Sequence, residues 1–134
     1  MVSNKFGAKK ITAPDGSVFD SKAEYHRWCE LRLLEKAGKI HDLFRQVKFD
    51  LIPAQYETYE RCSPKTGKRL KDGKRCVEYG VSYIADFVYW EGDQMIVEDV
   101  KGYKKGAAYE LYRLKAKLMM HFYGIRVQEV SHGR

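Results

Sequence analysis

The chain has 134 residues, 44% hydrophobic and 13% aromatic, and its 25 Lys and Arg against 18 Asp and Glu give a formal net charge of +7. That length suits one domain with a core of useful size and leaves no room for a second, so residues 1–134 are expected to form a single domain. No run of about 18 apolar residues is present, which excludes a helical membrane span, and the polar, basic start from Met1 to Lys10 predicts no secretory signal.

Residues 1–10 read as a flexible arm, and Pro14-Asp15-Gly16 supplies turn chemistry. Ser21-Lys22-Ala23-Glu24 has capping-box spacing and opens a helix that runs through Trp28, Leu31 and Leu34 until Gly38 ends it. From Ile40 to Ile52 the hydrophobic period becomes two, with Leu43, Val47, Phe49 and Leu51 marking a strand closed by Pro53. Residues 54–62 extend this as an edge strand. Residues 63–75 carry the turn signals Thr66-Gly67 and Asp72-Gly73 and read as an excursion from the sheet.

Val81 to Trp90 and Met95 to Lys101 are apolar runs of the kind expected for strands covered on both faces. Gly92-Asp93 between them suits a two-residue type II′ hairpin. Ala107 to Phe122 has Leu111, Leu114, Leu118 and Phe122 at helical spacing, Gly124 follows as a cap, and Ile125 to Val130 is a last short strand. The predicted core order is α-β-β-β-α-β, an α/β fold with a mixed central sheet flanked by helices.

The charge is concentrated. Residues 63–75 hold Lys65, Lys68, Arg69, Lys71, Lys74 and Arg75 against Asp72 alone, which is +5 in thirteen residues and leaves +2 for the other 121. Such a patch points to a polyanionic partner, with a solvated basic loop as the plain alternative. Cys29, Cys62 and Cys76 are too few and too odd in number for a disulfide framework, which fits a reducing cytoplasm. Cys62 and Cys76 could sit across a hairpin as half a zinc site, but no CxxC or nearby His completes one.

If Gly92 and Asp93 form the loop, Glu91 faces Gln94 and Asp86 falls opposite Asp99. Like charges so placed are destabilising, and Asp86 is expected to share its face with Ile84 and Val88, where an unpaired charge is costly. Something positive should lie between them. Lys101 is one pleat beyond Asp99 on the same face. A divalent cation is the other candidate, because hard oxygen ligands suit magnesium or manganese. Two acids and a lysine at this spacing suit metal-assisted phosphodiester hydrolysis, whereas a buried Asp–Lys pair with the second Asp protonated is the structural alternative. Alternation turns Glu98 to the opposite face and selects Asp99, unless a slip or bulge reverses the choice.

Glu24 is explained by the capping box alone, yet it lies over the stripe of Trp28 and Leu31 that packs on the sheet and could reach a metal or its water. Gln46 is a weaker candidate, and Lys115 and Lys117 read as a solvated helix face before a phosphate contact. Gly102 to Gly106, with Lys104 and Lys105, is no P-loop but could touch a backbone phosphate. The histidines form no HxH or HExxH spacing.

Asp86 followed by Asp99-Val100-Lys101, with Glu24 on the first helix, resembles the PD-(D/E)xK nuclease superfamily and its restriction-endonuclease-like α-β-β-β-α-β core. Phe19-Asp20-Ser21-Lys22-Ala23-Glu24, Gln46, Ile84-Ala85-Asp86-Phe87 and Glu98-Asp99-Val100-Lys101-Gly102 are similar to small phage and prophage proteins placed there as endonucleases, Holliday-junction-resolvase-like members included. The likeness runs from about Phe6 to Val130. Ala85 stands where the superfamily has its proline, Asp99 where glutamate is more frequent, and residues 63–75 lie outside the shared core.

The resemblance implies a Mg2+- or Mn2+-dependent endonuclease on duplex or branched DNA, serving phage recombination or replication in a host cytoplasm. Asp86, Asp99 and Glu24 would hold metal and Lys101 would orient the nucleophile. On charge alone, and not from the resemblance, Lys65, Lys68, Arg69, Lys71, Lys74, Arg75, Lys104 and Lys105 are the residues expected to contact DNA. Resolvases act as symmetric dimers, so a homodimer is admitted, although no two-fold interface is legible. The competing reading is a non-catalytic nucleic-acid-binding accessory protein that retains the fold.

Overall fold

The computed structural model describes residues 10–131. The arm predicted over residues 1–10 therefore falls, but for its last residue, outside the described residues. A small hairpin of β1 (Ile11–Thr12) and β2 (Val18–Phe19) leads into α1 (Lys22–Lys36). Its turn is closed by Asp15, whose Oδ1 accepts from the Ser17 N–H at 2.9 Å. The Ser21 Oγ caps α1 by accepting from the Glu24 N–H at 3.1 Å. At the other end Gly38 is left-handed at φ 77°, and the Lys39 and Gly38 N–H groups donate to the Leu34 and Glu35 carbonyls at 2.9 and 3.0 Å. That is a Schellman stop, which glycine accommodates without a Cβ penalty.

The central sheet has four strands in the order β3 (His41–Ile52), β6 (Val81–Glu91), β7 (Gln94–Val100) and β8 (Gln128–Val130). The first two pairings are antiparallel and β7–β8 is parallel. A parallel neighbour requires a crossover, and α2 (Ala107–Tyr123) supplies it before Gly124 ends the helix at φ 68°. The predicted element order and the mixed sheet flanked by two helices are both present. The last strand is shorter than expected, three residues rather than the six from Ile125. Among the described residues no helix is long and apolar enough to cross a membrane.

Two apolar layers cover the sheet. On one face Leu31 of α1 packs with Ile40, Leu43, Phe87, Tyr89 and Ile96, with Trp28 stacked on Phe87 at 6.0 Å between ring centroids. On the other, Tyr112, Ala116 and Met119 of α2 pack with Tyr83, Ala85, Val88 and Val97. Strict alternation would put Ala85 and Phe87 on one face, and so too Arg45 and Val47. Instead each strand changes face at its middle: Ala85 and Val47 belong to the α2 side, whereas Phe87 and Arg45 belong to the α1 side. The turning points are Asp86 and Gln46, and Gln46 is held at φ 55°.

This reversal corrects one expectation. Ile84 and Val88 do not flank Asp86 on a shared apolar face, because Ile84 is 53% exposed while Val88 is buried under α2.

Residues 54–62 also differ from expectation. They form β4 (Gln55–Cys62), which pairs only with β5 (Arg69–Glu78) in a separate two-stranded ribbon and not with the central sheet. Pro53 breaks the ladder on one strand by lacking an N–H. On the other, Gly80 passes so close that a Cβ there would lie 3.0 Å from the Ile52 carbonyl oxygen and 3.1 Å from the Ala54 nitrogen. The ribbon register sets Cys62 opposite Arg69 and Cys76 opposite Tyr56. Six residues of strand, about 20 Å, thus separate the two cysteines, which removes the half zinc site.

Candidate functional site

The hairpin between β6 and β7 turns at Gly92, φ 65°, and pairs Glu91 with Gln94 as predicted. The ladder continues to Phe87 opposite Glu98, so the next step brings Asp86 toward Asp99. There the regular pairing ends. The Val100 N–H donates not to a carbonyl of β6 but to the Asp86 Oδ2 at 2.8 Å. The strands separate around this side chain.

Asp99 is buried and held from two sides. The Tyr83 hydroxyl donates to Oδ2 at 2.6 Å, and the Lys101 Nζ lies 3.1 Å from Oδ1. Lys101 also stands 4.0 Å above the Tyr112 ring, so its ammonium is fixed by an acid and an aromatic face together. Glu98 points the other way, as alternation requires. Arg27 grips it through Nε and Nη2 at 2.8 and 2.7 Å, and the Tyr89 hydroxyl donates to the same carboxylate. Glu98 is therefore a structural partner of α1, and Asp99 is the acid at the site.

Glu24 is 4% exposed although it stands in the first turn of α1. Its N–H takes the predicted cap bond, but its carboxylate turns to the sheet, where the Gln46 Nε2 donates to Oε1 at 3.1 Å and the Arg45 guanidinium lies 3.8 Å away. The same Gln46 Nε2 is 3.4 Å from the Asp86 Oδ1. Gln46 thus links Glu24 to Asp86. Arg45 is itself clamped, with its guanidinium 3.8 Å from the Phe19 ring and Nη2 donating to the Val18 carbonyl at 2.7 Å.

The electrostatics follow from this crowding. Burial, then the Asp99 carboxylate, then Glu24 push the Asp86 carboxyl up to about 8. Burial raises Glu24 as well, with Asp20 adding to the rise. A tyrosine hydroxyl buried against a carboxylate is held neutral, and Tyr83 is shifted upward by burial and Asp99. Among the described residues no three His, Cys, Asp or Glu side chains stand together as a ready-made metal cage. What the fold gathers is the pair Asp86 and Asp99, with Glu24 one amide away and Lys101 alongside. Tyr83, Tyr112 and Arg45 were not among the sequence candidates. The only signal for Tyr83 is that a buried hydroxyl needs a polar partner, whereas Tyr112 serves through its ring face and its hydroxyl has no partner among the described residues.

The basic residues of 63–75 lie on or beside the turn and strand of the ribbon, and all six are exposed there. Pairing changes their balance. Arg75 Nε meets the Glu57 Oε1 at 2.7 Å, and Arg69 meets Asp72 at 2.9 Å and Glu60 at 3.6 Å. Over residues 55–78 seven basic side chains face four acids, so the ribbon as a unit carries +3 and not +5. Among the described residues Lys65, Lys68 and Lys71 have no ion pair, whereas Lys74 sits 4.6 Å over the Tyr56 ring. Lys104 is drawn to Glu129 on β8 at 3.3 Å, and Lys105 stays exposed. Lys115 lines a cleft of about 300 Å³ with Asp99 and Lys101, while Lys117 is on the exposed face of α2.

Comparison with curated proteins and with solved structures finds no match. A family model described as "Protein of unknown function (DUF1064)" matches residues 3–132. Spanning nearly the whole chain, that match places the protein in the DUF1064 family.

Proposed function

We propose that this protein is a divalent-metal-dependent endonuclease that hydrolyses phosphodiester bonds in duplex or branched DNA. The observation that carries the reading is the meeting of Asp86 and Asp99 where β6 and β7 part, with Lys101 alongside. Burial and like charge hold the Asp86 carboxyl near 8, which is costly to ionise without a counter-charge. Oxygen donors alone, and an excess of acid over base in so small a volume, suit a hard cation such as Mg2+ or Mn2+. Asp86 and Asp99 would hold it, and Glu24 would support it through Gln46 or through water. When bound, such an ion polarises the scissile phosphate and lowers the pKa of a bound water.

The chain's own groups do the rest. Lys101, steadied by Asp99 and Tyr112, orients the attacking water and offsets charge developing on the phosphate. Tyr83 fixes the rotamer of Asp99 so that one carboxylate oxygen stays turned toward Lys101. The ribbon, with Lys65, Lys68 and Lys71 unpaired, tracks backbone phosphates and sets affinity.

The test is a cleavage panel with Mg2+ and Mn2+ over linear, nicked, flapped and four-way DNA. Asp86→Asn and Lys101→Ala are expected to lower cleavage by about 100-fold or more while DNA binding stays nearly intact. Full activity in the Lys101 variant sinks the assignment. Binding indifferent to magnesium, with no cleavage of any substrate, favours instead an accessory protein that keeps the fold.

A further inference from the structure

The cleft between α2 and the β6–β7 splay has a mixed lining. Asp99 and Lys101 supply charge at its sheet side, Ile84 of β6 and Leu111 of α2, each 53% exposed, supply apolar surface, and Lys115 lines it from α2, one helical turn beyond Leu111. The two lysines differ in their commitments. Lys101 is held by Asp99 at 3.1 Å and by the Tyr112 ring, which fixes it at the proposed point of cleavage. Lys115 is half-buried and makes no ion pair among the described residues, while its neighbour Lys117 lies in open solvent. A second cleft of about 420 Å³, lined by Lys48, Gly80 and Ser82 at the root of the ribbon, meets the first at Ser82. The two form one track from the ribbon to Asp99.

We infer that this cleft is a nucleotide subsite beside the cut. Lys115 anchors the neighbouring backbone phosphate, and the sugar rests against Ile84 and Leu111. The inference rests on the nuclease reading for its substrate and adds a residue and a strand path to it. Lys115 lines the cleft without an ion pair among the described residues, so its ammonium is free to take an anion there, and a phosphate is the anion that the ribbon would deliver along the track. The apolar wall explains why the partner is a nucleotide unit: a free inorganic anion would leave Ile84 and Leu111 uncovered.

The test compares Lys115→Ala, Lys115→Arg and Lys117→Ala, with alanine well tolerated at both helical positions. Binding of a fluorescent four-way DNA and of a matched linear duplex is measured across a salt series in the Asp86→Asn background, and KM and kcat are measured with the Asp86 side chain intact. Lys115→Ala should raise Kd and KM by about 5- to 10-fold, change kcat less than about twofold, and make the log–log salt slope shallower by about one. Lys115→Arg should restore most of the loss, and Lys117→Ala should change neither quantity. An unaltered slope in Lys115→Ala, or an equal loss in Lys117→Ala, overturns the subsite. A salt slope that responds to Lys115 in a protein that cleaves nothing would keep the subsite and overturn the nuclease reading.

Discussion

Gln46 and Asp86 face each other across β3 and β6 at the point where both strands change which helix they address, and the Gln46 amide lies within 3.4 Å of the Asp86 carboxylate. The neighbouring pairs, Arg45 with Phe87 and Val47 with Ala85, remain in register on either side. The reversal is therefore a local change of twist and not a slip. It lets one strand pair serve two helices and turns a carboxylate into the gap between β6 and β7.

Backbone strain at Gln46 is testable by itself. At φ 55° a side chain is disfavoured by about 1 kcal/mol, a cost that glycine escapes. Gln46→Gly and Gln46→Ala both lose the amide bonds to Glu24 and Asp86, but only the alanine keeps the strain. The glycine variant should be the more stable of the two by about 1 kcal/mol in urea unfolding. Equal or greater stability in the alanine variant would contradict the strained assignment.

Asp86 sets a pH dependence for the metal-free protein. Its carboxyl is ordinarily near 3.8 and is raised to about 8 in the fold, so between these values the folded chain keeps a proton that the unfolded chain has released. Stability is then full below about pH 4 on this account and falls as pH rises toward 8. Asp86→Asn should flatten that fall and stabilise the metal-free protein by at least about 1 kcal/mol at pH 8. Thermal unfolding in the presence of a chelator reads it, and a variant less stable than the parent at pH 8 would refute it.

Arg27 and Glu98 should matter to stability before chemistry. Glu98 is 2% exposed, and Arg27 supplies both of its charged hydrogen bonds. Removing the guanidinium leaves a buried charge, and Arg27→Ala should cost about 3–5 kcal/mol. Arg27→Met combined with Glu98→Gln, which removes both charges, should recover at least half of that in denaturant titrations. A mild Arg27→Ala phenotype would show that the pair is solvated.

The ribbon's cations divide into paired and unpaired sets. Replacing Lys65, Lys68 and Lys71 with Gln should flatten the salt dependence of DNA binding by about 2 to 3 in log–log slope. Replacing Arg69 and Arg75, which already answer Asp72, Glu60 and Glu57, should change it by less than about 1 for the pair. Equal effects per charge from the two sets would mean that the intramolecular pairs dissolve on binding.

The parts of the fold that the sequence made legible are those decided within a few residues. Ser21 and Gly38 bound α1, Gly124 ends α2, and Gly92-Asp93 sets the register that carries Asp86 toward Asp99 and turns Glu98 away. Caps and two-residue turns depend on φ, on a missing Cβ or on a side-chain oxygen at fixed offset, and each of these is written locally. The same logic misled at 54–62, where continuity with the preceding strand suggests an edge of the central sheet but does not name the partner.

Glutamine has no standing preference for a left-handed backbone, so nothing in the residues around Gln46 announces the reversal. The carboxylate of Glu24 had a satisfactory local use in its own cap, and its turn toward Gln46 and Arg45 was chosen by the packing of α1 on the sheet. Glu57 and Glu60, which meet Arg75 and Arg69, lie on the opposite strand, out of reach of any count along residues 63–75. The sequence by itself determined the elements, their order and the hairpin that brings two aspartates together. Only the tertiary structure decided which charges are answered by neighbours and which, Lys115 among them, are left facing a cleft, because burial and pairing between distant segments are properties of surfaces that exist only once the helices have docked.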